Sequence, residues 1–335
     1  MKYIYDDLAE KKILITGGAG FIGSNLAFYF QKNHPLAQVY VFDTFRTTEC
    51  FPSGNPTSLG HFKNLIGFKG EIIVGDIANP SDLERLKAYD FDIIFHQAAI
   101  SDTTVQNQKL VMQTNYEAFL RLLDLANASQ AIMIYASSAG TYGNSSAPNI
   151  VGSGEIPENI YGFSKLCMDE YVRKILEKDP SYPIVGLRYF NVYGEGELHK
   201  GKTASMILQL SLQALEHKKV RLFKNGEQKR DFVYIKDVIQ ANIKAIESPK
   251  SGIYNVGSGE ARSFNDIIEC LKKDLGDFEV EYIDNPYSFF QTYTQADISP
   301  ITEDFSYVPR FKLEEGIKSY LPKIQALFAA QSGKQ

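Results

Sequence analysis

The sequence predicts an α/β fold, a doubly wound parallel sheet joined to a smaller, interleaved α/β part. Short apolar runs recur along the first half, at Ile13 to Ile15, Val39 to Phe42, Glu71 to Asp76, Phe91 to Ala99, Ala131 to Tyr135 and Tyr182 to Phe190. Between them lie stretches read as helices, at Ser24 to Phe30, Pro80 to Ala88, Thr114 to Ala126 and Glu158 to Glu177. A glycine-rich turn joins the first run to the first helix. Alternation of this kind implies parallel βαβ units with helices on both faces.

Ile13 to Ile15 has the uninterrupted apolar character of a central strand covered on both sides. Gly17, Gly20 and Gly23 follow at three-residue steps and lead into the helix. In such a turn the first glycine makes the bend, the second lets a pyrophosphate approach the backbone, and the third lets helix and strand pack closely. Phe21 and Ile22 lie inside this turn. The second strand ends in Asp43, 20 residues past Gly23, where a carboxylate meets a ribose hydroxyl. Together these features predict a Rossmann-type dinucleotide site. Thr44, Arg46 and Lys63 follow Asp43. The acid favours a free 2′-hydroxyl, whereas Arg46 and Lys63 suit a 2′-phosphate, so residue chemistry leaves NAD and NADP both open. Arg46 reads equally well as a solvated loop cation.

The third strand ends at Asp76 and Ile77, placed to flank an adenine ring. The fourth ends in Gln97, Ala98, Ala99, Ile100 and Ser101, whose small members let a cofactor lie against backbone at the carboxyl end of the sheet. His96, inside that apolar strand, reads as a satisfied core histidine. Asn115 falls in the following amphipathic helix.

Beyond Asn191 the texture changes. The segment to Thr203 reads as a loop rich in glycine and charge, followed by a helix over Ala204 to His217. Val220 to Phe223 reads as a strand leading to a hairpin-type turn at Asn225-Gly226. Phe232 to Asp237 reads as a helix start and Gly252 to Gly257 as a strand. The expected division is 1–190 for the nucleotide half, with 230–258 returning to it, and 191–335 for a mainly substrate-binding half.

Composition narrows the function. A net charge of −5 and pI near 5.7 argue against a nucleic-acid partner. No apolar run approaches the length of a membrane span, and the acidic start lacks the order of a signal peptide, so the expected location is cytoplasmic, without a membrane partner. Cys50, Cys167 and Cys270 are scattered and odd in number, suggesting neither a disulfide frame nor a metal site.

The chemistry is expected at Tyr161 and Lys165, four apart on a helix and therefore on one face, with Ser138 at the preceding strand end. A nearby ammonium favours tyrosinate, making Tyr161 an acid/base with Ser138 holding a substrate hydroxyl. Lys165 also suits the nicotinamide ribose.

Gly17-Gly-Ala-Gly-Phe-Ile-Gly23, Tyr135-Ala-Ser-Ser-Ala-Gly-Thr-Tyr-Gly143, Tyr161-Gly-Phe-Ser-Lys165, Arg188-Tyr-Phe-Asn-Val-Tyr-Gly194 and Arg230-Asp-Phe-Val-Tyr-Ile-Lys-Asp-Val238 together resemble the extended short-chain dehydrogenase/reductases acting on nucleotide sugars. Gln97 to Thr104, Tyr193 to Ser205 and Thr294 to Asp297 are similar to the ADP-glycero-manno-heptose 6-epimerases within them. That resemblance implies epimerisation at C6 of an ADP-heptose, a precursor of lipopolysaccharide core. It implies NADP ahead of NAD and assembly into a ring-like homo-oligomer.

It also implies a transient 6-ketone formed by hydride transfer to the cofactor and reduced again by hydride return. Tyr161 would act on one side of the carbon and Lys200 on the other; without the resemblance, Lys200 reads as a loop lysine. Carried over by position, Phe21, Ile22, Asp43, Gln97 to Ser101, Asn115, Lys165 and Val192 would line the cofactor. Asn191, Lys202, Gln209, Phe223, Lys224, Asn225, Gly226, Arg230 and Phe290 would contact the ADP-sugar. The chain departs from the family pattern at Lys202-Thr203 and Phe290. Rival readings are a nucleotide-sugar 4-epimerase, a 4,6-dehydratase (disfavoured because Ala139-Gly140-Thr141 offers no carboxylate) and a non-catalytic dinucleotide sensor.

Overall fold

A computed structural model of the chain describes residues 2–4, 8–223, 225–247, 250–284 and 293–332. Strand β1 (Lys12–Thr16) runs through the glycine turn into helix α1 (Phe21–Asn33), which returns to β2 (Gln38–Asp43) and then β3 (Glu71–Val74). Helix α2 (Pro80–Leu86) leads to β4 (Ile93–His96). The short helix α3 (Gln108–Val111) then continues through a π turn, Met112–Glu117, into α4 (Ala118–Ser129) and β5 (Ile132–Ser138). Helix α5 (Ile160–Lys178), opened by Asn159 accepting from the Gly162 N–H, leads to β6 (Ile184–Tyr189). The chain goes on through β7 (Asn191–Tyr193), α6 (Met206–His217), β8 (Lys219–Phe223), β9 (Lys229–Tyr234), α7 (Ile235–Glu247) and β10 (Gly252–Val256). It closes with β11 (Ala261–Ser263), α8 (Phe264–Leu275), β12 (Glu279–Ile283), α9 (Ser299–Phe305) and α10 (Leu313–Ser332).

Seven strands form one sheet in the order β10-β6-β5-β4-β1-β2-β3, every neighbouring pair parallel. Parallel neighbours need crossover connections, and the helices that make them cover both faces. Side chains alternate accordingly: Ile13, Ile15, Val39 and Val41 enter one core, while Leu14, Tyr40 and Phe42 enter the other. The chain direction out of β1 switches sides between β2 and β4, the crevice where such sheets bind ligands.

Two smaller sheets complete the fold, β11-β9-β7 and β12-β8. Three sequence expectations are corrected here. Residues 229–234 form strand β9 before the helix begins at Ile235; a run of β-forming Phe232-Val-Tyr enters the helix with no breaker to mark the change. Asn225 and Gly226 do turn, with φ of 71° and 62°, but they join no hairpin. Their flanking strands separate: β8 pairs in parallel with β12, and β9 pairs with β7 and β11. The segment read as loop from Asn191 holds β7 and a 3-10 turn, Glu197–Thr203.

Candidate active site

A cavity of about 930 Å³ lies across the carboxyl ends of the parallel strands. Gly17, Gly20, Phe21, Ile22 and Gly23 line it at the start of α1, where the helix presents its positive dipole end. Gly17 sits at φ +68°, and a Cβ there would lie 2.7 Å from the Ala98 nitrogen. A Cβ on Gly23 would lie 2.3 Å from the Gly17 carbonyl oxygen, so the third glycine lets α1 close onto the turn itself. Thr44, Asp76, Ile77, Gln97, Ala98, Ala99, Ile100, Ser101 and Val192 also face this space. Asp43 lines it, but its buried carboxylate accepts from the N–H groups of Ala19 at 3.0 Å and Phe45 at 2.8 Å. Burial raises the pKa of this acid, and those two donors partly restore it.

Ser138, Tyr161 and Lys165 line the same cavity, brought together by the end of β5 and the first turns of α5. Ser138 Oγ accepts from the Gly140 N–H at 3.0 Å and lines the cavity beside Tyr161. Lys165 is buried, and its Nζ donates to the Ala136 carbonyl at 2.7 Å. Burial brings this amine down to about 8, with Asp169 opposing the shift. The expectation of a lowered phenol pKa is corrected. Burial raises Tyr161 while the neighbouring Ser138 hydroxyl works against the rise, and the Lys165 ammonium stands 5.9 Å from the ring centroid, turned to Ala136.

Lys200 faces this cavity from the 3-10 turn after β7, its Nζ 5.6 Å from the centroid of the Phe21 ring. Burial lowers its pKa, opposed by Glu197. Asn191, Thr203, Ala204, Ser205 and Met206 line the cavity nearby.

Other expected residues stand elsewhere. Asn115 is wholly buried and clamps Ile100, accepting from its N–H at 2.8 Å and donating to its carbonyl at 3.0 Å. Its amide also donates to Ser164 Oγ at 3.0 Å, tying the cavity wall to α5. Arg46 donates to the His199 carbonyl, and Lys63 is exposed in the turn Phe62–Leu65. Lys202 is exposed, and the Gln209 amide donates to the carbonyls of Lys202 and Ala204. Phe223 ends β8, whereas Asn225 borders a separate hollow with Glu227, Asn265 and Tyr282. Gly226 packs against Asn265. Arg230 lies 5.9 Å from the centroid of Phe264, which lines the main cavity, and burial lowers its pKa to about 10. Lys224 and Phe290 fall outside the described residues.

His96 sits in the core, as expected, but only half satisfied: its Nδ1 lies 2.8 Å from Thr16 Oγ1, its buried Nε2 meets no partner among the described residues, and burial lowers its pKa to about 3. Sequence reasoning missed Phe51, Thr57, Ser58, Leu59 and Gly60 of the long loop and Tyr189, Phe190, Phe232 and Phe264, all of which line the cavity. Tyr189, Phe190 and Phe232 stood inside recognised motifs without being singled out, while at Gly60 the structure shows that a Cβ would lie 2.0 Å from Asp43 Oδ1.

A family model described as the NAD dependent epimerase/dehydratase family matches residues 13–257. The chain belongs to this family, whose cofactor is a nicotinamide dinucleotide. It is 35% identical over 327 residues to the ADP-L-glycero-D-manno-heptose-6-epimerase of Alkalilimnicola ehrlichii, covering 93% of this chain and 97% of that one. The crystal structure of Helicobacter pylori ADP-L-glycero-D-manno-heptose-6-epimerase superposes with a TM-score of 0.90 at 59% identity, over 97% of this chain and 100% of that one. The UDP-glucuronic acid 4-epimerase of Bacillus cereus, solved with UDP-glucuronic acid and NAD, is 30% identical with a TM-score of 0.80, covering 94% and 99%.

Proposed function

We propose that this chain interconverts ADP-D-glycero- and ADP-L-glycero-D-manno-heptose by epimerising C6, with NADP as its cofactor. The observation that carries the reading is the shared cavity: the glycine turn, the Ser138–Tyr161–Lys165 group and Lys200 all face one space. The likeness to the Helicobacter pylori enzyme supports the choice of substrate. The residues fit a dinucleotide, because Gly17 and Gly20 leave backbone bare at the helix start and Asp43 stands at the end of the next strand. The choice of NADP draws on the family resemblance and on Arg46 and Lys63, two cations close enough to lower the pKa of His61 beside Gly60.

A bound nicotinamide would supply reversible hydride exchange at C6, with the hydride returned to the opposite face. The chain supplies proton transfer on both sides of that carbon. Tyr161, steadied by Ser138, exchanges a proton with the C6 oxygen in one epimer, and Lys200 does so in the other. Burial lowers the pKa of Lys200 and so favours the neutral amine that can accept a proton. Between the two transfers the keto end of the sugar turns within the cavity. Lys165, anchored on the Ala136 carbonyl, would hold the ribose beside the nicotinamide. Arg230 has no carboxylate partner among the described residues, and its desolvated guanidinium would pair with the diphosphate. Residues 191–335 serve mainly to grip the ADP-sugar, in a cytoplasmic homo-oligomer.

Incubation with ADP-D-glycero-D-manno-heptose, without added cofactor and followed by NMR, is expected to yield the L-glycero product. In deuterated water no deuterium should enter C6. Failure of cofactor-replete enzyme to turn over would overturn the choice of substrate, and wash-in at C6 would overturn the hydride route. Mass spectrometry of the cofactor released on denaturation distinguishes NADP from NAD.

A further inference from the structure

The turn that carries Lys200, Glu197–Thr203, is fixed unevenly. On its own side it is held by Glu197, wholly buried, which accepts from the N–H groups of Gly194 at 3.0 Å and Ser205 at 2.6 Å. Just past Lys200 the chain bends at Gly201, at φ +59° and with open space where a Cβ would stand. Thr203 Oγ1 donates to the Lys200 carbonyl at 2.8 Å and Gln209 Nε2 to that of Lys202 at 3.2 Å, and further ties reach the turn from the side of the glycine loop. Asn25 Nδ2 donates to the Glu195 carbonyl at 2.8 Å, and Arg46 donates to the His199 carbonyl. The rings of His61 and His199 lie face to face, with centroids 3.8 Å apart and planes 10° from parallel.

His61 is itself built onto the glycine turn. Its N–H donates to the Ala19 carbonyl at 2.9 Å, and the same oxygen accepts from Asn64 Nδ2 at 3.1 Å. Its Nδ1 accepts from the Lys63 N–H at 3.1 Å, which fixes the ring, and Phe62 stacks on it at 4.9 Å. Direct contacts therefore run from Ala19, inside the glycine turn, through His61 to His199, whose next residue is Lys200. Burial and the neighbouring cations Arg46 and Lys63 lower the pKa of both rings, that of His199 to about 4, so the stacked pair is uncharged at neutral pH. No proton transfer proposed above uses either imidazole.

We infer that His61 is a positioning residue: by stacking on His199 it lets the cofactor-side loop set where the Lys200 amine stands in the cavity. This rests on Lys200 being the second acid/base. Ring contact carries the effect, so a flat apolar ring in place of His61 preserves it and a methyl group does not.

The test compares His61→Ala, His61→Phe and Lys200→Met in the full-length protein. His61→Ala is expected to lower kcat about tenfold or more while KM for the ADP-heptose moves less than about threefold, as for a misplaced catalytic group. His61→Phe should recover kcat to within about threefold of the parent. A readout independent of turnover is labelling of Lys200 by an amine-reactive reagent, followed by mass spectrometry of its peptide. The labelling rate should change in His61→Ala and return to the parental value in His61→Phe. If Lys200→Met is inactive while His61→Ala keeps the parental kcat and labelling rate, the positioning role is wrong. It is equally wrong if the Phe and Ala variants behave alike. If Lys200→Met turns over normally, the acid/base reading falls instead.

Discussion

Asp169 and Arg188 meet at 2.8 Å with both side chains fully buried, directly behind the strand end that carries Ser138. Asp169 also accepts from the hydroxyls of Tyr135 at 2.7 Å and Ser137 at 2.8 Å, and Arg188 reaches Glu155 at 2.5 Å. Glu155 in turn accepts two bonds of 2.7 Å from Arg173. The network joins β5, β6, α5 and the loop before α5, the parts that hold Ser138, Tyr161 and Lys165. Removing one partner leaves a buried charge uncompensated, so Arg188→Met is expected to destabilise the protein by about 3–5 kcal/mol. Urea unfolding curves check this; a loss below about 1 kcal/mol would show that the network is dispensable for stability.

Lys165 gives a prediction about pH. Its folded pKa of about 8 lies below the ordinary lysine value of 10.5 because burial penalises the ammonium. The unfolded chain therefore holds more protons between these values, and stability gains a contribution as pH rises through that window. Below about 8 the penalty is fully present. Lys165→Met should thus be more stable than the parent at pH 6–7, on the order of 1–3 kcal/mol, with the advantage shrinking from pH 8 to 10. The variant should have lost activity. Thermal melts across that range would refute this account of Lys165 if the difference did not depend on pH.

Tyr161→Phe and Lys200→Met are each expected to lower epimerisation by about 10²–10⁴, and the double change to abolish it. Following each epimer as substrate separately shows which face each group serves. Equal, undiminished rates in both directions for Lys200→Met would remove it from the mechanism.

Gly23→Ala places a methyl group 2.3 Å from the Gly17 carbonyl oxygen, against backbone that cannot rotate away. It should destabilise the protein by about 1–3 kcal/mol and reduce the cofactor carried through purification. The ratio of absorbance at the nicotinamide and protein bands reads the second effect directly.

The nucleotide half was legible in the sequence because its signals are local. Gly17, Gly20, Gly23 and Asp43 stand at fixed offsets from apolar strands, and the strand–helix alternation implies a parallel sheet. Tyr161 and Lys165 were legible because helical spacing puts them on one face. The direction of the Tyr161 shift was not, since spacing does not reveal that Lys165 turns to the Ala136 carbonyl. The second half was harder to read because β7, β8, β9, β11 and β12 pair with strands distant in the chain, which a turn such as Asn225-Gly226 does not encode. Phe264 reaches the cavity by that route without a motif to announce it, and Phe232 does so from within the Arg230 to Val238 motif.

Adjacent residues of β5 look in opposite directions. Ser137 turns its hydroxyl to Asp169, while Ser138 lines the cavity and accepts from the Gly140 N–H. One strand thus serves two masters, the framework behind it and the reaction in front. A lineage can redecorate the space above Ser138 to admit a different sugar without touching the ionic lattice that keeps the strand in place. That separation lets the space above Ser138 change while the architecture stays put.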